Sequence, residues 1–201
     1  MTAVLWDVGG VFLDWDPRNL YRKLFGDDVA GMEDFLANVC TQAWHEEQDL
    51  GKPIEEACAE LAARHPGQAS LIRAWAERNE EMVHGPIEAS VTLLSEVLKA
   101  GVPCYALTNM ERESFERRAR LYEFFRWFDG YLISALEGVM KPDRRYFKLA
   151  LERFGLVPGE SLFTDDRLEN VEAARALGMN AVVFRGAAAF RDELVARGVL
   201  A

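Results

Sequence analysis

Short apolar runs recur along the chain, and helix-like patterns closed by glycine lie between them. The runs are Ala3–Trp6, Pro103–Leu107, Tyr131–Ile133, Ser161–Thr164 and Ala181–Phe184. They are apolar at successive positions rather than alternating, as expected of strands covered on both faces in a parallel sheet. Three helical patterns stop at glycine: Ile87–Ala100 at Gly101, Tyr146–Phe154 at Gly155 and Val171–Leu177 at Gly178. Glycine just past the last periodic residue is a helix stop, because it adopts a left-handed turn at little cost. Asp143 is placed to cap a helix beginning at Arg144. This alternation predicts an α/β fold built on a doubly wound parallel sheet.

The alternation fails between about Asp16 and Gly85. Asp16-Pro17 reads as an N-cap followed by proline at the first helical position. Ile54–Ala63 behind Pro53, and then Ala69–Val83, carry helical patterns, and no strand is expected among them. The prediction is a small α-helical subdomain over residues 16–85. It is inserted into an α/β core formed by residues 1–15 and 86–201. Repeats, low-complexity segments and linkers are absent.

Composition narrows the class of partner. A chain of 201 residues, half apolar and 28% charged, is long enough for one sizeable core with a subdomain. A net charge of −10 disfavours nucleic acid and anionic membranes as partners. No apolar run approaches the ~20 residues of a membrane span. The N-terminus has no basic segment and is interrupted by Asp7, so no signal peptide is expected. Cys40, Cys58 and Cys104 are scattered without Cys-x-x-Cys spacing. They are expected to be reduced, buried thiols of a cytoplasmic protein rather than a disulfide frame or zinc site. The pattern sets no oligomeric state.

Ligands of an open parallel sheet bind beyond the carboxyl ends of its strands. The first strand is followed by Asp7-Val8-Gly9-Gly10-Val11 and the second delivers Thr108-Asn109. After the third comes Glu137-Gly138-Val139-Met140-Lys141-Pro142, and the fourth delivers Asp165-Asp166, with Asn170 one helical turn on. Together these supply a carboxylate, a hydroxyl, an ammonium and an acidic pair. Such a set suits phosphate plus a divalent cation: hard oxygens hold Mg²⁺, while ammonium and hydroxyl donors neutralise phosphoryl oxygens.

In this order and spacing the motifs resemble those of the haloacid dehalogenase-like hydrolases, over essentially the whole chain. The resemblance implies a Rossmann-like core and a helical cap in the position of the 16–85 insertion. It implies an Mg²⁺-dependent phosphatase acting on a small phosphorylated metabolite. Asp7 would be the nucleophile that forms an aspartyl-phosphate, and its other oxygen would bind Mg²⁺. The backbone carbonyl of Gly9 and the carboxylate of Asp166 would complete the metal set, with Asp165 beside them. Thr108 and Lys141 would hold the phosphoryl group, helped by Asn109 and the N–H groups around Gly10. Asn170 would order the metal loop.

One position departs from the family. Its phosphatases carry an aspartate two residues after the nucleophile, as the acid that protonates the leaving group, and here that residue is Gly9. General acid catalysis contributes roughly 10²–10⁴-fold. Its loss favours good leaving groups, such as aryl, acyl or anomeric phosphates, over simple alkyl esters. Some members with an Asp-x-Gly-Asn-like first motif resemble sugar-phosphate phosphatases, so the loss need not be fatal. Asp14 and Asp16 are nearby carboxyls, but Asp16 is better explained as a helix cap. His45, His65 and His84 read as surface or core histidines, and Trp15, Trp44 and Trp75 as packing aromatics. Arg144-Arg145 reads as a solvated helix start. Two other readings compete. A 2-haloacid dehalogenase has no use for the acidic pair. A non-catalytic phosphate-binding or regulatory protein is suggested by Gly9 and opposed by Asp7, Lys141 and Asp166.

Overall fold

The computed structural model describes residues 1–201. Seven strands are present: β1 (Ala3–Trp6), β2 (Leu13–Trp15), β3 (Val83–Pro86), β4 (Cys104–Thr108), β5 (Gly130–Ile133), β6 (Ser161–Asp165) and β7 (Asn180–Val183). Five of them form one parallel sheet in the order β5-β4-β1-β6-β7. The chain leaves β1 for β4 and β5 on one side, then returns to β6 and β7 on the other. Strand order therefore reverses at β1, and the carboxyl end of β1 lies at the topological switch point where such sheets bind ligands.

Both faces of the sheet are covered, which explains the continuous apolar runs. Val4 and Trp6 point to one side, with Leu93, Leu94 and Val97 of helix α6 (Glu88–Lys99) and an aromatic group of Phe124, Phe125 and Phe128. Leu5, between them in sequence, points to the other side. There it meets Tyr146 and Phe147 of α9 (Arg144–Phe154) and Val171 of α10 (Leu168–Arg175). Successive strand residues alternate faces, so a four-residue strand serves two cores.

The segment between β2 and β3 contains α1 (Arg18–Phe25), α2 (Val29–Asn38), α3 (Gln42–Asp49), α4 (Ile54–Arg64) and α5 (Ala69–Glu77). These five helices close around a third hydrophobic cluster that includes Tyr21, Phe35, Trp44, Leu61 and Trp75. The polar edges of the aromatics are satisfied inside it: Tyr21 donates to the Leu71 carbonyl and the Trp75 indole to the Gln48 amide oxygen. Asp16 caps α1, its carboxylate accepting from the Arg18 N–H at 2.8 Å. Asp143 caps α9 in the same way at Arg145. The three cysteines are free and buried, as expected.

Two expectations change. The helical pattern Ala69–Val83 stops at Glu77; a 3₁₀ turn over Asn79–Met82 follows, and Val83 opens a strand. That strand, β3, pairs antiparallel with β2, Leu13 opposite Pro86 and Trp15 opposite Val83. The stretch up to Gly85 is thus not strand-free. A Val-His-Gly-Pro segment has no strand periodicity of its own, and the ribbon exists because the two ends of the helical segment meet. In the main sheet, boundaries move by a residue at most sites: β4 begins at Cys104, β5 at Gly130 and β7 at Asn180, while β6 runs on through Asp165.

Candidate active site

Asp7 extends the pairing of β1 by one bond, its N–H donating to the Thr164 carbonyl at 2.9 Å. The carboxylate is thereby fixed at the sheet edge, only 7% exposed. The chain then turns sharply, with the N–H groups of Phe12 and Leu13 both donating to the Val8 carbonyl. The two glycines of this turn do different things. Gly10 has φ +68°, which a side chain would strain, and a Cβ there would press on the Asp166 carboxylate, so glycine lets that carboxylate sit close to the turn. Gly9 has no such constraint: a Cβ there would meet nothing within 4 Å. The space beside residue 9 is open.

Lys141 joins the motifs. Its side chain is almost completely buried, and the ammonium donates to Asp7 Oδ1 at 2.7 Å, Asp165 Oδ2 at 2.7 Å and the Leu107 carbonyl at 2.8 Å. All three of its donors are used. Asn109 holds the loop that carries this lysine: its amide donates to the Lys141 carbonyl at 2.9 Å and accepts from the Lys141 N–H at 3.0 Å. Thr108 ends β4 and is buried, its hydroxyl donating to the Asn109 carbonyl at 3.5 Å. Asp165 has no exposure; it accepts from the Arg167 N–H and from the Asn170 amide. Asn170 therefore orders the acidic loop.

Electrostatically the cluster is over-charged with acid. The carboxylate oxygens of Asp7, Asp165 and Asp166 lie within 4.8 Å of one another, against a single ammonium. Burial, and then the charge of Asp165, push the Asp7 carboxyl up to about 8, with Lys141 opposing. Burial and Asp165 raise Asp166 as well. Burial favours the neutral form of Lys141, but the Asp165 and Asp7 carboxylates outweigh it and hold the ammonium charged. Three crowded oxygen donors with surplus negative charge fit a hard divalent cation.

The cavity beside Asp7 has a volume of about 270 Å³. Gly9, Gly10, Asn109, Lys141, Asp166 and Asn170 line it with Asp7, whereas Thr108 and Asp165 lie behind the surface. Its other side is helical, from Gln42, His45 and Asp49 of α3, with Glu111 and Arg118 at α7 (Arg112–Leu121). Glu111 is buried, in contact with the Ser114 hydroxyl, and held low: Arg118 and His45 outweigh its burial. His45 stacks on Trp15 with ring centroids 5.1 Å apart. These two and Gln42 also line a second cavity of about 390 Å³, apolar at Leu36, Ala37, Cys40 and Trp75 and charged at Arg18 and Glu33.

The other carboxyls near β1 are occupied elsewhere. Asp14 is exposed and faces His84 Nδ1 at 3.1 Å, and Asp16 serves α1 and Arg18. The residues missed from the sequence are Gln42, Asp49, Glu111 and Arg118; His45 was expected only at the surface or in the core. The available signal was the i, i+3, i+7 spacing of Gln42, His45 and Asp49, which places them on one helical stripe.

The model of the haloacid dehalogenase-like hydrolase family matches residues 1–178. A sesquiterpene phosphatase of Aspergillus oryzae is 29% identical over 177 residues, spanning 88% of this chain and 86% of that protein. Among solved structures, a HAD-like family hydrolase of Porphyromonas gingivalis superposes with a TM-score of 0.74 at 20% identity, covering 96% of this chain and 98% of the other. A HAD family enzyme of Bacteroides thetaiotaomicron, solved with magnesium and inorganic phosphate, gives a TM-score of 0.68 at 21% identity, covering 91% and 93%.

Proposed function

The chain belongs to the haloacid dehalogenase-like hydrolases, and from that premise we propose that it is an Mg²⁺-dependent phosphatase of a small phosphorylated metabolite. The observation that carries this reading is the buried Asp7 at the switch point, joined by Lys141 to a second carboxylate and crowded by a third. Asp7 attacks phosphorus in line, the ester oxygen leaves, and water releases phosphate from the resulting aspartyl-phosphate. Lys141 positions the nucleophile and offsets its charge. Gly10 keeps the backbone close to Asp166, and Asn109 sets the Lys141 loop. Thr108, at the end of β4, supports the phosphoryl site from behind the cavity wall.

Asp7, Asp166 and the Gly9 carbonyl would hold the Mg²⁺, with Asp165 fixed beside them. The ion supplies charge neutralisation and orientation at the phosphoryl group. Residues 16–85 are read as the cap, and residues 1–15 with 86–201 as the core. The cavity among Leu36, Ala37, Cys40 and Trp75 offers room for the organic part of a substrate. Sugar phosphates and prenyl phosphates are both suitable probes, the latter because of the similarity to a sesquiterpene phosphatase.

The test is phosphate release from a metabolite-phosphate panel with Mg²⁺, using Asp7→Asn as the blank. Turnover that vanishes in the variant and in EDTA supports the reading. Chloride release from a 2-haloacid in EDTA overturns it in favour of the dehalogenase. Phosphate binding without turnover overturns it in favour of a regulatory protein.

A further inference from the structure

We propose that Asp49, carried by α3, is the general acid and base of this site, in place of the carboxyl that residue 9 lacks. The assignment rests on the phosphatase reading. Asp49 lines the same cavity as Asp7, Gly9, Lys141 and Asp166, and comes to it from the helical side. It is 4% exposed, and its Oδ1 has no hydrogen-bond partner. A buried carboxyl oxygen without a partner is costly. His45 Nε2 lies 3.8 Å from that oxygen, beyond hydrogen-bond reach. A leaving-group oxygen in the cavity would supply the missing partner.

Its surroundings suit the task. Burial, with Glu111 and Glu46 adding and His45 and Lys141 opposing, lifts the Asp49 carboxyl to about 6. An acid in that range is still partly protonated near neutrality and gives its proton readily. The competing groups are committed. Glu111 is held low by Arg118 and His45 against its own burial. Asp14 lies exposed against His84, and Asp16 caps α1. His45 is packed between Trp15 and Trp75 and faces Asp49, whose carboxyl it pulls down against burial.

The step balances without a co-reactant. As Asp7 forms its bond to phosphorus, the phosphorus–ester-oxygen bond breaks, and the Asp49 proton passes to the departing oxygen, giving the alcohol. The Asp49 carboxylate then takes a proton from water as that water attacks phosphorus. The phosphorus–Asp7 bond breaks, phosphate leaves, and both carboxyl groups return to their starting states.

The experiment is a series of phosphate esters graded by leaving-group pKa, run with Mg²⁺ on the wild type, Asp49→Asn and the double variant Gly9→Asp, Asp49→Asn. The wild type should show a shallow dependence. Asp49→Asn should steepen it, losing roughly 10²–10⁴-fold on alkyl esters and far less on aryl esters. The alkaline limb of the alkyl-ester kcat/KM profile should disappear in this variant, while Mg²⁺ affinity is kept. The double variant should recover part of the alkyl-ester rate, since a side chain at residue 9 has open space. Equal losses on all esters, or none, overturn the assignment. Should Asp49→Asn not fold, the wild-type slope decides alone, and a steep one overturns it. No turnover of any ester by the wild type overturns the phosphatase reading itself, a distinct result.

Discussion

Binding of Mg²⁺ should release a proton from Asp7, and the amount follows from the site's own electrostatics. In the metal-free protein the Asp7 carboxyl is pushed up to about 8 by burial and by Asp165. A cation seated among these oxygens requires the carboxylate form. Most of a proton should therefore be released per ion bound at pH 7, and little at pH 9. Below pH 8 the affinity should rise about tenfold per pH unit and then level off. Stability changes in the same direction. The folded-state value lies above the ordinary carboxylate value of about 3.9, so the metal-free fold binds the proton more tightly than the unfolded chain. It therefore loses stability as pH rises through that window, up to about 8. Mg²⁺ removes the loss, so the Tm gain on adding it should grow between pH 6 and 8. Calorimetric titration in two buffers of different ionisation enthalpy counts the protons. Affinity independent of pH, with no proton released at pH 7, would refute this reading of the carboxylate cluster.

Three further outcomes are expected. Gly10→Ala puts a Cβ 2.4 Å from Asp166 Oδ2 at a residue with φ +68°, and the roughly 1–2 kcal/mol of backbone strain adds to the clash; magnesium titration should show the affinity falling by about tenfold or more. Asn109→Ala deletes both hydrogen bonds to the Lys141 backbone; a loss of about 2 kcal/mol should lower Tm by about 4–8 °C in thermal denaturation, together with kcat. Ala37→Trp fills the second cavity; steady-state kinetics should show KM rising for esters with bulky organic groups and holding for acetyl phosphate.

Some of this site was legible in the sequence because its signals are local. The apolar run before Asp7, the Asp143 cap and the acidic pair at the end of β6 each depend on neighbours within a few residues. Asn109 was legible as a site residue, but its pairing with the Lys141 backbone spans 32 positions and belongs to the tertiary fold. The same holds for Asp49: a polar residue on a short helix looks solvated until the sheet edge is brought beneath it. Helix α7 hid for another reason. Its sequence, RESFERRARL, is polar nearly all round: it buries Ser114 and Arg118, and only Phe115 and Ala119 pack, half-buried, on the core. The glycine pair shows both sides. Adjacent in sequence, Gly10 has a positive φ and Asp166 beside it, and Gly9 has neither.

Asp7 should become covalently phosphorylated during turnover. The most direct measurement is mass analysis of the protein quenched in acid during steady-state hydrolysis of an aryl phosphate with Mg²⁺. One phosphoryl group should be found on the peptide containing Asp7, absent in EDTA and absent from Asp7→Asn. Phosphate release at an undiminished rate with no phosphoryl group on Asp7, or from the Asp7→Asn variant, would contradict it.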